Sequence, residues 1–340
     1  MRKIALWLVV VLVAGAAMMC GLAEMRVREY EAREWPIGLG RIADVPHRYP
    51  MTGRNAAATK LISLANDLEI NFRSGAREQP LPAIRKETTD YLQSQLKRSS
   101  GPIDPLPPAL AAHLAKHAEA LAKLRAHLIA EPVRWEVDTT NGVDGPLPNL
   151  VATMSLGRLL TVNALDRARR GDAAAWDDLQ ASWMLSRALA PRPELISQLI
   201  SMALARSVNS ASRLMPLPEP PWMREVRGAD SRRAMLASLQ AEAWAMRGGT
   251  AARKRVLRYM TADTIEQMRT SANQLAEISE CAFDADAFAR KQQNEIPAWN
   301  KVSQLSMPNL AGAWQRVFRF NAELEATERI NQIRGGAAPS

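Results

Sequence analysis

The sequence predicts an all-α chain: an N-terminal transmembrane helix followed by antiparallel helical hairpins, packed as an irregular bundle or an α-solenoid-like stack. Three observations carry this expectation. Ala, Leu, Arg and Met, all strong helix formers, dominate the composition. The alternation of β-branched and aromatic residues that marks strands is nearly absent after residue 30. Gly, Pro, Asn and Asp recur between stretches whose apolar residues repeat every three to four positions.

The first element is "MRKIALWLVVVLVAGAAMMCGLAEMR". Arg2 and Lys3 precede a charge-free run from Ile4 to Ala23. A helix of that length spans about 30 Å, the thickness of a bilayer's hydrocarbon core. An uncleaved signal anchor over residues 1–25 is expected, with the chain beyond it extracytoplasmic at a bacterial inner membrane. The alternative is secretion after cleavage near the small residues 14–17. Acylation at Cys20 would require a small residue where Met19 stands. Residues 26–50 read as a linker, with Pro36, Pro46, Pro50, Gly38 and Gly40 breaking regular structure.

A helical subdomain is expected over residues 51–130. Thr52 reads as an N-cap for a helix carrying Ala57, Leu61, Leu64, Ala65, Leu68 and Phe72, with Gly75 past its end. A second helix is bounded by "QPLP" and "SSGP". A third carries Leu110, Leu114, His117, Leu121, Leu124 and Leu128, spaced alternately by four and three as in a coiled-coil seam. Residues 131–148 are a turn-rich connection containing Asn-Gly, Asp-Gly and three prolines, in which "RWEVDTT" has room for one short strand.

The C-terminal helical domain is expected over residues 149–334, before a tail at 335–340. Asn149 can cap a helix running to Arg170, Gly171 can stop it, and Asp172 can cap the next. "APRP" ends that second helix, and another bears Leu195, Ile196, Leu199, Ile200, Ala203 and Leu204. Further helices are expected at 230–247, 261–283, 284–295 and 308–334. "PNL" opens helices at both 148 and 308.

Helices joined by such short turns are antiparallel neighbours. The stretch "ALDRARRGDAAAWDDLQASWMLSRAL" is similar in general form to a tetratricopeptide hairpin, although Trp176 and Trp183 stand where that consensus places small residues. The longer segment "PNLVATMSLGRLLTVNALDRARRGDAAAWDDLQASWMLSRALAPRPELISQLI" resembles a group of membrane-anchored all-helical bacterial proteins of uncharacterised activity. That resemblance implies the architecture and no chemistry.

The formal charge of +9 comes mostly from Arg. Acidic residues interrupt the basic ones throughout, so the clustered footprint of a nucleic-acid binder is missing and no such partner is expected. Cys20 and Cys281 are separated by the expected bilayer, which leaves Cys281 a free or intermolecular thiol. No phosphate loop, Gly-x-Ser-x-Gly or Cys-x-x-Cys occurs, so no cofactor or enzymatic motif is read.

His113 and His117 share a helical face at a spacing able to hold a metal. His127 is almost three turns farther on, and no zincin Glu lies between the first two. Two ligands make no closed site, so no metal centre is expected. "DTTNGVDG" fails the spacing of a calcium loop and reads as a double turn.

Trp176 and Trp183 lie seven residues apart on one helical face. Either both pack in the core, or they form an exposed aromatic pair rimmed by Arg169, Arg170 and Arg187. The leading functional expectation is an interaction or scaffold protein that binds another envelope protein. The alternatives are a carrier of an apolar ligand or lipid in a pocket between helices, and an enzyme whose site assembles from distant residues.

Overall fold

A computed structural model describes residues 14–15, 17–18, 21–22, 24–72, 84–139, 145–216, 218–248 and 255–335. Helical residues at 24–32 lead into a two-stranded antiparallel hairpin, β1 (Glu34–Trp35) and β2 (Gly40–Arg41). The helices that follow are α1 (Val45–Arg48), α2 (Ala56–Asn66), α3 (Arg85–Leu96), α4 (Pro108–Lys116) and α5 (Ala118–Ala130). Next come α6 (Leu150–Arg169), α7 (Ala175–Leu189), α8 (Leu195–Ser212) and α9 (Met223–Arg227). The chain continues through α10 (Ser231–Gly248), α11 (Arg255–Glu277), α12 (Ala285–Glu295), α13 (Lys301–Ser306) and α14 (Leu310–Arg334). The predicted all-α class therefore holds.

The transmembrane part of the predicted fold is corrected. Among the described residues no helix is both long and apolar enough to cross a membrane. Most of the apolar run behind that expectation, including Cys20, lies outside the described residues. Where the helix is described continuously, over 24–32, it is rich in charge and packs on protein. Val27 and Tyr30 are buried with Ala262. Glu31 pairs with Arg247 of α10 at 2.7 Å, and just beyond the helix Arg33 pairs with Glu266 of α11 at 2.5 Å.

The chain divides into two compact units. The first comprises 1–50, 138–145 and 235–315. In its small hairpin Trp35 pairs with Gly40, and the turn between the strands has positive φ at Ile37 and Gly38. Trp35, Leu39, Ile42 and Val45 are all buried. Gln240 of α10 donates to the Gly40 carbonyl at 3.2 Å, fixing the hairpin to that helix. Farther along, α13 packs on α11. Cys281 is a free, exposed thiol.

The second unit comprises 51–137, 146–234 and 316–340. At its centre α6, α7 and α8 form two consecutive antiparallel hairpins. Their register is written in buried polar contacts. Asn163 meets Asp178 at 2.8 Å, Ser182 donates to the Gly157 carbonyl at 3.3 Å, and Ser186 donates to the Ser201 carbonyl at 2.8 Å. Asn149 caps α6 by accepting from the Ala152 amide, as expected. Gly171, at φ 76°, ends α6 with the two hydrogen bonds of a Schellman motif, from its own amide to Ala168 and from Asp172 to Arg167.

Around this centre α5 packs on α7 and α2, while α3 packs on α6 and α8. The seam residues Leu110, Leu114, His117, Leu121, Leu124 and Leu128 are all buried. The helix that carries them breaks at His117 into α4 and α5. The cap of α2 is Asn55 rather than Thr52, because the Thr52 backbone is occupied in a bridge to Val137. That bridge is what remains of the expected strand, and beside it Trp135 stacks on Phe72. Residues 316–334 of α14 run along α8, where Arg206 pairs with Glu323 at 2.5 Å and Asn209 donates to Thr327 at 2.9 Å.

Gly157 marks the closest approach in this unit. A Cβ there would sit 2.2 Å from Cδ2 of Leu204, itself buried on α8. Gly157→Val is expected to lower stability by about 2 kcal/mol or more through overpacking, read as a shifted urea midpoint. An unchanged midpoint would refute the close approach of α6 and α8.

Candidate functional site

The hairpin of α6 and α7 carries the five residues that the sequence singled out. Trp183 is buried in the core. Trp176 is half-buried; its Nε1 donates to the Pro216 carbonyl at 3.1 Å, and its ring meets Trp222 edge-on at 6.2 Å. Arg169 and Arg170 both pair with Asp166, at 3.1 and 2.9 Å. Arg187 pairs with Glu225 at 2.8 Å. The structure thus brings these residues to intramolecular partners and does not gather them around one groove.

A residue the sequence reading passed over lies between the two tryptophans. Asp178 is fully buried, with Arg125 of α5 at 3.3 Å, Arg167 of α6 at 3.1 Å and the Asn163 amide at 2.8 Å. Burial pushes its carboxyl up to about 6, against the pull of the two guanidiniums.

In the first unit, α12, α13 and the residues Pro308 and Asn309 enclose an open cleft of about 700 Å³. Its walls include Gln292, Gln293, Ile296, Gln304 and Met307, and none of its lining residues is charged. The chain neighbours of two wall residues are exposed hydrophobics, Trp299 at 46% and Leu305 at 87%. Local hydrogen bonding explains how they are held there. Asn300, fully buried, donates to the Met260 carbonyl and to Asp263 on α11, and accepts from the Ser303 amide to cap α13. Ser303 also meets Thr264 at 2.7 Å. Asn309 accepts from the Gly312 amide at 2.9 Å and caps α14, matching Asn149 at the other "PNL".

In the second unit a smaller open pocket of about 320 Å³ lies among α3, α6 and α8. Leu92, Leu96 and Met154 give it an apolar side, and Lys97, Arg158 and Arg206 a basic one. Arg206 is already paired with Glu323. Arg158 is half-buried and has no carboxylate partner among the described residues. Burial first, and then Arg85 nearby, hold its pKa below the ordinary arginine value.

The histidines make the third constellation. His113 and His117, four residues apart, bring their rings to 4.5 Å between centroids. The third group is Glu69, from the turn after α2. One ligand atom from each of the three lies within 4.8 Å of the others. His117 holds the Asp67 carbonyl through Nδ1 at 3.0 Å, which makes Nδ1 the protonated nitrogen and leaves a lone pair on Nε2. That Nε2 is buried without a hydrogen-bond partner among the described residues, as is Nε2 of His113. Burial and the neighbouring His117 lower the His113 pKa. The Glu69 carboxylate, 3.6 Å from His117, pairs with Lys116 at 2.6 Å, which lowers its own pKa. His127 stands apart, its Nε2 bonded to the Ala57 carbonyl at 2.9 Å.

No protein-family model, curated protein or solved structure matches the chain.

Asp178 generates a pH prediction. Its folded value of about 6 exceeds the ordinary 3.8, so the folded state binds this proton more tightly than the unfolded state. The contribution is full below the unfolded value and is lost as pH rises through about 6. In urea unfolding at several pH values, the stability difference between wild type and Asp178→Asn is expected to shrink from about pH 4 to about pH 7. A difference independent of pH refutes the shift.

Proposed function

We propose that this protein is a helical interaction protein that binds a largely uncharged amphipathic segment of a partner protein in the cleft between α12 and α13. The observation that carries the reading is the exposure of Leu305 and Trp299, 87% and 46%, each next in sequence to a residue of the cleft wall. A leucine left almost wholly in water contributes nothing to the fold, whereas desolvation by a partner makes such side chains dominant contacts. The Gln292 and Gln293 amides of the walls suit main-chain hydrogen bonding to a bound segment. With no charged wall residue, the occupant is selected by shape and apolar anchors.

A photocrosslinking residue at position 305, in cells that make the protein, identifies the partner. The purified pair is then titrated. Leu305→Asp combined with Trp299→Ala is expected to weaken binding at least about tenfold without changing the unfolding temperature. Crosslinks to no other protein, or equal affinity of the double variant, overturn the reading.

A second reading, a carrier of small amphipathic anions, is favoured by Arg158. A half-buried guanidinium without a carboxylate, beside Leu92, Leu96 and Met154, matches a ligand with one anionic head and an aliphatic body. Calorimetric titration with decanoate and decanol tests it. Decanoate is expected to bind at least about tenfold more tightly than decanol, and Arg158→Gln to erase that preference. Equal binding of the two probes, or none, rules it out.

A further inference from the structure

We infer that Glu69, His113 and His117 form a binding site for a divalent first-row transition ion of the zinc type. The inference is independent of the interaction cleft, which belongs to the other compact unit.

The donor set comes first. Two imidazoles and one carboxylate are ligands that zinc takes in sites with three protein ligands, where the fourth position stays open. His117 is already prepared for the role. Its Nδ1–H is committed to the Asp67 carbonyl, so the ring orientation is fixed and the lone pair of Nε2 is free for a metal. Nε2 of His113 is likewise buried without a hydrogen-bond partner. Two buried ring nitrogens without partners, one of them 3.6 Å from a carboxylate, are costly for a structure that uses them for nothing else. A bound ion would satisfy both.

The backbone offers a second argument. Glu69 has φ 62°. Its amide bonds to the Asn66 carbonyl, and the Ile70 amide bonds to Ala65, the pair of hydrogen bonds that closes a Schellman motif. The residue at this left-handed position is ordinarily glycine, because a side chain is strained there. The end of α6 follows that rule with Gly171. The end of α2 does not, and the side chain it carries instead reaches the two imidazoles.

The fit is close but not closed. Tetrahedral ligation at zinc–ligand distances near 2.1 Å sets ligand atoms about 3.4 Å apart. His117 Nε2 and Glu69 are at 3.6 Å, and the full set lies within 4.8 Å. Closing it needs the exposed Glu69 side chain to swing inward, away from Lys116. Lys116 is thus a competitor for the carboxylate.

The test is a titration of the purified full-length chain, carrying no polyhistidine tag, with Co²⁺ and then Zn²⁺. One Co²⁺ per chain is expected, with visible d–d absorption that Zn²⁺ abolishes. Glu69→Gly is the decisive variant. It is expected to weaken Co²⁺ binding at least about tenfold while raising the unfolding temperature, because glycine relieves the left-handed strain. Loss of binding then cannot be loss of fold. His113→Gln is expected to weaken binding by a similar factor, and Lys116→Met to tighten it by removing the competitor. Binding weaker than about 100 μM, or one-site binding indifferent to both Glu69→Gly and His113→Gln, overturns the site.

Discussion

The second compact unit is organised around one buried carboxylate. Asp178 on α7 receives Arg125 from α5 and both Arg167 and Asn163 from α6. Taking a carboxylate out of water costs several kcal/mol unless its oxygens are met by well-placed donors. Two helices, α5 and α6, must therefore present their donors together to the carboxylate of a third. A slip of one residue along either of them turns its donor about 100° away and strands the charge. Apolar packing alone tolerates such slips far better, since leucines on a seam are interchangeable in a way that hydrogen-bonding groups are not. Once α6 and α7 are in this register, Ser182 lies against the Gly157 carbonyl, and α8 can close on the gap that glycine leaves. Arg167 extends the constraint to the turn by pairing with Asp172 at 2.9 Å.

A second buried charge does comparable work where no helix exists. Arg192 is almost completely buried and pairs with Glu194 at 2.6 Å. It also donates to the backbone carbonyls of Pro146, at 2.7 Å, and Glu136. Glu136 and Pro146 lie within the turn-rich connection and lack helical partners for these carbonyls, and a guanidinium offers five donors in a rigid fork. The "APRP" that stops α7 thus also anchors that connection at two points.

The helices were legible where caps and periodicity agreed. Asn149, Gly171 and Asn309 mark ends that the structure keeps, each through the bond its side chain or backbone freedom permits. The break at His117 was not legible, because the four-and-three spacing of apolar residues runs through it and every seam residue is buried on both sides. Thr52 and Asn55 are both good capping residues, and only the long-range bridge to Val137 decides between them. The short α13 is below the length at which a hydrophobic period can be counted. Among the sites, the two histidines stood out and Glu69 did not. It occupies a helix stop, and Lys116, its ion partner, is 47 residues away. Asp178 was equally hidden, since a carboxylate on an amphipathic helix reads as a solvated residue until its neighbours are known.

The tryptophans show how composition misleads without packing. Trp176 and Trp183 share a face with the most conspicuous spacing in the chain, yet one is core and the other fastens a neighbouring segment. Among the described residues the exposed aromatic is Trp299, in a stretch with no periodicity. What distinguishes it is rigidity. Asn300, immediately after it, is fully buried and makes hydrogen bonds both to α11 and within its own helix. An exposed side chain on a frayed turn loses conformational freedom when a partner captures it, and that loss weakens binding. A side chain whose backbone is already pinned by the next residue loses much less. Burying an asparagine to hold a tryptophan and a leucine at the surface is a poor arrangement for stability alone, and a sound one for presenting a preorganised surface to another molecule.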